Sequence, residues 1–227
     1  MIDSVRNTVL SAVNKNNFGY ITPDDFNLYA KQAQIDIFED YFYQYNTWIS
    51  KMNNRQSGTG YADMVRLAEE VIDSFSSTAN LSYVSSKFSL PSDYYYVNTI
   101  RYGSKEVDKV SQDKILNLLS SNLTSPSTLY PAYTQEGVLI TVYPSSIDTN
   151  IKAQYIRTPK DPKWTYIMVG GAPIFNQNND YQDFELPITD EPLLVAKILK
   201  YAGLSIREGD VYQFGNAEQV SNKQIQG

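Results

Sequence analysis

Along the first seventy residues the apolar positions recur at helical spacing. Ile2, Val5, Val9 and Val13 step by three and four, which predicts a short amphipathic helix from Ile2 to about Asn14. "NKNNFGY" closes it with Asn and Gly. A strong start signal follows, with Thr22 as N-cap, Pro23 at the first helical position, and Asp24 and Asp25 in the first turn. No Gly or Pro interrupts the chain until Gly58, so a long helix is predicted from Pro23 to about Ser50. A third pattern, Ala62, Val65, Ala68, Ile72 and Phe75, predicts another helix after the polar loop "KMNNRQSGTG".

The long helix carries more aromatic residues than one core-facing stripe requires. Phe26, Ala30, Ala33, Ile37 and Tyr41 form one stripe, and Leu28, Ile35, Phe38, Phe42, Tyr45 and Ile49 form a second. Two stripes imply two packing surfaces. The first, with its alanines, is expected against helices of the same chain. Part of the second, or the remaining rings Tyr29 and Tyr43, is expected against an adjacent subunit.

After Asn80 the period shortens. "YYYVNTIRYG", "KEVDKVS", "AYTQEGVLITVYP", "NIKAQYIRTP" and "WTYIMVGG" read as strands between turn residues, with a hairpin at Glu136-Gly137. "SQDKILNLLSSN" predicts a short helix capped by Ser111, with Ile115, Leu118 and Leu119 on its buried side. Past "DFELP" the helical period returns, with Thr189 as cap and Leu194, Ile198 and Tyr201 on one stripe. The predicted fold is α+β: a helical bundle from the N- and C-terminal segments carrying an inserted antiparallel β domain. Its expected parts are a three-helix segment over 1–80, a β-rich domain with one short helix over 81–186, and a C-terminal helix with a polar tail over 187–227. Val211, Tyr212 and Phe214 are the apolar anchors of that tail.

Composition narrows the chemistry. The chain has 227 residues, no cysteine and no histidine. This excludes disulfides, thiolate or imidazole metal sites, and Ser-His-Asp catalysis. A formal charge of −6 argues against a protein whose main task is gripping phosphates. No run approaches the length of a membrane span and the start has no cleavage-site pattern, so an unexported chain without a membrane anchor is expected. Nineteen tyrosines suit half-buried and interface positions.

The motifs that could carry chemistry are weak. "RQSGTGY" lacks the lysine and preceding strand of a phosphate loop. Asp36 with Glu39 or Asp40 lies within one helical turn, the spacing of an acid/base pair, but also that of a solvated face. "EVDKVSQD" and "NQNNDYQDFE" lack calcium-loop spacing. Lys152, Arg157, Lys160 and Lys163 beside Tyr155 and Trp164 suit a ligand platform or a protected edge strand. Tyr94 and Tyr96 are expected on one face of a strand and Tyr95 on the other, with at least one partly exposed. No catalytic, cofactor or metal residue is assigned.

The succession "GYITPDDFNLYAKQAQIDIFEDYF", "FSLPSDYYYV", "YPAYTQEGVLITVYP", "IKAQYIRTPKDPKW" and "ELPITDEPLLVAKILKYAG" resembles the neck proteins of tailed bacteriophages, in particular the ring proteins of crAss-like podoviruses. The likeness spans about residues 1 to 210. It implies a non-enzymatic head-to-tail connector, assembled in the host cytoplasm and resident in the virion neck. It further implies a homo-oligomeric ring, twelve-fold by the resemblance, beneath a portal and against neighbouring neck or tail proteins. Double-stranded DNA would pass through the lumen without specific binding during ejection. The expected subunit contacts are Tyr29, Phe38, Phe42, Tyr43, Tyr45, Trp164, Tyr212 and Phe214. The alternative is a carbohydrate- or receptor-binding module of a phage tail, built on the tyrosines and Trp164.

Overall fold

The structure, a computed structural model, describes residues 1–14, 21–53 and 61–206. The chain divides into two compact units, Met1–Val71 with Pro159–Gly227, and Ile72–Thr158.

In the first unit, α1 (Ile2–Asn14) buries Ile2, Val5, Val9 and Val13, the stripe read from the sequence. The helix α2 (Pro23–Asn53) begins at Pro23 for the reason its sequence gives. The Thr22 hydroxyl accepts the Asp25 backbone N–H at 3.1 Å and donates to the Asp25 carboxylate at 2.6 Å, which satisfies an orphan amide of the first turn. Phe26, Ala30, Ala33 and Ile37 of α2 are all buried. They lie on the stripe expected to pack within the chain, and α2 packs on the C-terminal helix α5 (Glu191–Ile206), as does α1. Leu194, Ile198 and Ala202 give α5 its buried stripe. Thr189 does not cap that helix, because a 3₁₀ turn over Ile188–Asp190 runs directly into it. The helix α3 (Tyr61–Asp73) crosses the boundary between the units.

The second unit is built on one eight-stranded sheet. Its strands are β1 (Ser76–Asn80), β2 (Ser82–Val84), β3 (Lys87–Ser89), β4 (Tyr94–Tyr102), β5 (Lys105–Lys109), β6 (Ala132–Glu136), β7 (Leu139–Tyr143) and β8 (Ile151–Arg157). The helix α4 (Gln112–Leu119) lies in the crossover from β5 to β6. The order across the sheet is β1-β8-β4-β5-β6-β7-β3-β2. The two end strands, β1 and β2, are separated along the chain by Leu81 alone. Six of the seven pairings are antiparallel and one, β5 with β6, is parallel, so β1 and β2 run in the same direction. They are two halves of one bent strand, pairing first with β8 and then with β3. The sheet must therefore curl until its ends meet, giving a nearly closed barrel. Phe88, Ile100, Val107, Tyr133, Ile140, Val142, Ile151 and Ala153 fill its interior.

This overturns the expected helical bundle with an inserted antiparallel β domain. The dominant element is the eight-stranded, nearly closed barrel, accompanied by five α-helices among the described residues. The strands that close the barrel were missed because "SSTAN", "SYV" and "KFS" carry few of the β-branched and aromatic residues that mark a strand. Their conformation is imposed by their neighbours in the ladder. For the same reason β8 is not an edge strand, since β1 and β4 flank it.

The first unit also holds a two-stranded ribbon, β9 (Tyr166–Val169) and β10 (Ala172–Phe175). Gly170 and Gly171 form its turn at φ +60° and +84°, the left-handed conformation that a two-residue hairpin loop requires.

Candidate subunit interface

The sequence-predicted contact residues take quite different positions. On α2, Phe38 is buried and meets Phe42 edge-on, with ring centres 5.1 Å apart. Phe42, Tyr29 and Tyr45 are half-buried, whereas Tyr43 is 72% exposed. Leu28 is also exposed. Tyr212 and Phe214 lie outside the described residues.

Trp164 is only 2% exposed and sits inside the first unit. Its ring stacks between Tyr166 and Phe175 at 5.5 and 6.0 Å, and the Arg6 guanidinium lies 3.8 Å from its centre. Its indole N–H donates to Asp3 at 2.9 Å. This enclosed side chain anchors the base of the ribbon and offers no open platform.

Two exposed apolar surfaces were not picked out from the sequence. The first belongs to the barrel unit. α4 buries Ile115 but leaves Leu116 and Leu119 exposed, which corrects the expectation that Leu119 faces the core. The following segment adds Leu123, Leu129 and Tyr130, at 94%, 64% and 79% exposure. The second is the β9–β10 ribbon, where Ile167, Met168, Val169 and Ile174 are exposed. A signal was present: no charged residue occurs between Lys114 and Glu136 or between Lys163 and Asp180, in a chain of which 19% is charged. A solvated surface of that length ordinarily carries charge, and the charge-depleted centre of an interface does not.

The chemical candidates resolve into structural roles. Asp36 is not gathered with Glu39, which is exposed. It accepts from the Tyr201 hydroxyl and, with Asp40, flanks the buried Lys197 ammonium at 3.8 and 3.2 Å. The basic series divides, with Lys152 and Arg157 on β8 in the barrel unit and Lys160 and Lys163 in the other. Lys163 pairs with Asp180 at 3.1 Å. Tyr94 to Tyr96 do not alternate simply, because bulges interrupt β4 against β8 after Tyr94 and again after Val97. Tyr95 and Tyr96 are both exposed, and the Tyr94 hydroxyl donates to the Gly137 carbonyl at 3.1 Å. The loop "RQSGTG" lies outside the described residues. Among the described residues no cluster of acidic side chains is arranged to hold a metal ion, and no helix is long and apolar enough to cross a membrane.

No protein-family model matches the chain, and no curated protein matches it in sequence.

Proposed function

We propose that this chain is a non-enzymatic structural subunit of a tailed-phage virion, forming a homo-oligomeric ring in the head-to-tail connector beneath a portal. The observation that carries the reading is the pair of exposed apolar residue sets on uncharged runs of the chain, one at Leu116, Leu119, Leu123, Leu129 and Tyr130 and one on the β9–β10 ribbon. A ring subunit meets its neighbours through two different faces, and two separate apolar surfaces on different units are what such head-to-tail contacts need. The resemblance of the sequence to neck ring proteins points the same way. An acidic chain also suits a DNA passage, because a basic lumen would retain the genome by its phosphates. A glycan-binding module, by contrast, would need an open ring, and Trp164 is enclosed.

Negative-stain microscopy of the purified chain, alone and mixed with a portal, tests the reading. Closed rings, or rings added to the portal, are expected. A chain that stays monomeric and binds neither portal nor neck partner would overturn it.

A further inference from the structure

The two edges of the β9–β10 ribbon are not equivalent. In an antiparallel hairpin with a two-residue turn, the residues flanking the turn are a hydrogen-bonded pair, and bonded and non-bonded pairs then alternate. Val169 and Ala172 flank the turn, and the Asn176 N–H donates to the Thr165 carbonyl at 3.0 Å in the same phase. Ile167 and Ile174 are therefore bonded to each other, while Met168 and Pro173 direct their backbone groups outward. Proline has no N–H. The β10 edge thus lacks a donor at Pro173, as edges closed to further strands often do. Among the described residues no strand pairs with the β9 edge, which presents the N–H and carbonyl of Met168, and those of Tyr166 in the same phase.

Among the described residues, a second open edge lies on the barrel unit. β2 ends the sheet order, and all three of its residues are exposed. Val84 and Lys87 flank the Ser85-Ser86 turn, so Tyr83 and Phe88 form the non-bonded pair. Consistent with that phase, the Leu90 N–H donates to Val138 across β3 and β7, which places the Phe88 groups toward β7. The N–H and carbonyl of Tyr83 then point away from β3. No charged residue occurs between Asp73 and Lys87, just as none occurs along the ribbon.

We infer that β9 of one copy pairs with β2 of the next copy, so that neighbouring subunits share a continuous sheet. The partner is a second copy because both edges are uncharged and partly apolar in a chain of net charge −6, so they meet without burying a charge or opposing like charges. Pro173 supplies the valence. With one edge of the ribbon blocked, each copy receives one strand and donates one, which a closed ring requires. The inference rests on the ring reading for this head-to-tail orientation. The affinity comes from backbone bonds along the shared edge, and the exposed Ile167, Met168, Val169, Tyr83 and Val84 supply the apolar contacts.

Because the chain has no cysteine, single cysteines report on the pairing directly. Met168→Cys mixed with Tyr83→Cys under mild oxidation is expected to give a disulfide-linked dimer, with at least tenfold less from either variant alone. Met168→Pro removes the edge donor without touching a bond inside the ribbon. It is expected to weaken assembly at least tenfold while the far-UV circular dichroism matches that of the parent chain. Pro173→Ala restores a donor on β10 and is expected to give larger, open-ended assemblies. Efficient cross-linking of Met168→Cys alone would overturn the inference in favour of a two-fold contact. Rings that survive Met168→Pro would overturn it while leaving the ring reading in place. Mixed cross-linking by a chain that forms no ring, with or without portal, would keep the strand pairing and remove the ring.

Discussion

Asn27 on α2 and Trp164 hold each other through a closed pair of hydrogen bonds. The Asn27 side-chain oxygen accepts the Trp164 backbone N–H at 2.8 Å, and its amide donates to the Trp164 carbonyl at 3.2 Å. The side chain thereby imitates a strand neighbour and fixes the residue whose ring supports β9 and β10. Asn27→Ala leaves a buried donor and acceptor unpaired at once. It should cost about 2–4 kcal/mol in urea unfolding followed by circular dichroism. Asn27→Asp keeps the acceptor but sets a carboxylate against the carbonyl, so it should be no milder.

The buried ammonium between α2 and α5 should show an ordered series. Lys197 is 5% exposed, whereas Asp36 and Asp40 are 29% and 28% exposed. Lys197→Ala removes the buried stem and leaves two carboxylates one turn apart, which should cost about 3 kcal/mol. Lys197→Met preserves most of the packing and should cost less. Asp40→Asn should be mildest, because Asp36 remains to face the ammonium. Chemical denaturation midpoints of the three variants check the order, and equal losses would show that the charges are uncoupled.

The parts legible in the sequence are those fixed by near neighbours. The α1 stripe, the Thr22 cap, the start of α2 and the hairpin at Gly137 each depend on residues within a few positions of one another. The barrel was not legible. Its closure depends on Ser76–Asn80 finding β8 and Ser82–Val84 finding β3, partners whose identity no local pattern encodes. The contact candidates rest on aromaticity, a pattern that does not separate the enclosed Trp164 ring from the exposed Tyr43.

Two aspartates should give opposite pH dependences. Burial by itself would raise the Asp183 carboxyl, but the Ile2 and Phe184 N–H groups and the Met1 ammonium that bond to it outweigh burial and hold it below the usual range. Its folded pKa is lower than its unfolded value of about 4, so its contribution is present above that pH and lost as the pH falls through the folded value. Burial raises the Asp190 carboxyl despite the Tyr41 hydroxyl bonded to it at 2.6 Å. Its contribution has the opposite sign, fully present below about pH 4 and lost as the pH rises through the folded value. Asp183→Asn should therefore destabilise more at pH 7 than at pH 3. Asp190→Asn should be relatively more favourable at pH 7 than at pH 3, and urea midpoints at the two pH values measure both.

The β2–β3 turn stores strain that can be released. Ser85 and Ser86 occupy φ +52° and +64°, a conformation that costs a residue with a Cβ about 1–2 kcal/mol. Two-residue hairpins of this type favour Asn-Gly. Ser85→Asn with Ser86→Gly should raise the thermal midpoint by a few degrees, measured by calorimetry. A drop would show that the two hydroxyls contribute more than the backbone strain removes.

Leu81 is where the barrel closes, and its substitution should separate closure from edge exposure. Its backbone N–H donates to the Ile151 carbonyl at 2.9 Å, and its side chain turns into the barrel core between two strands that contain no fully buried residue. The bend must pass through this residue, so the side chain acts as the pin that keeps both halves of the strand on the sheet. Leu81→Ala should cost about 2–4 kcal/mol. Val84→Ala, three residues along on the exposed end of β2, should change stability by less than about 0.5 kcal/mol. Hydrogen exchange distinguishes the mechanism from simple loss of core volume. In Leu81→Ala the amides that β1 and β3 present to their neighbours should exchange faster than those joining β4 to β8, because the closing strand releases first and the rest of the sheet keeps its ladder. Uniform acceleration across all strands would show that Leu81 only fills the core.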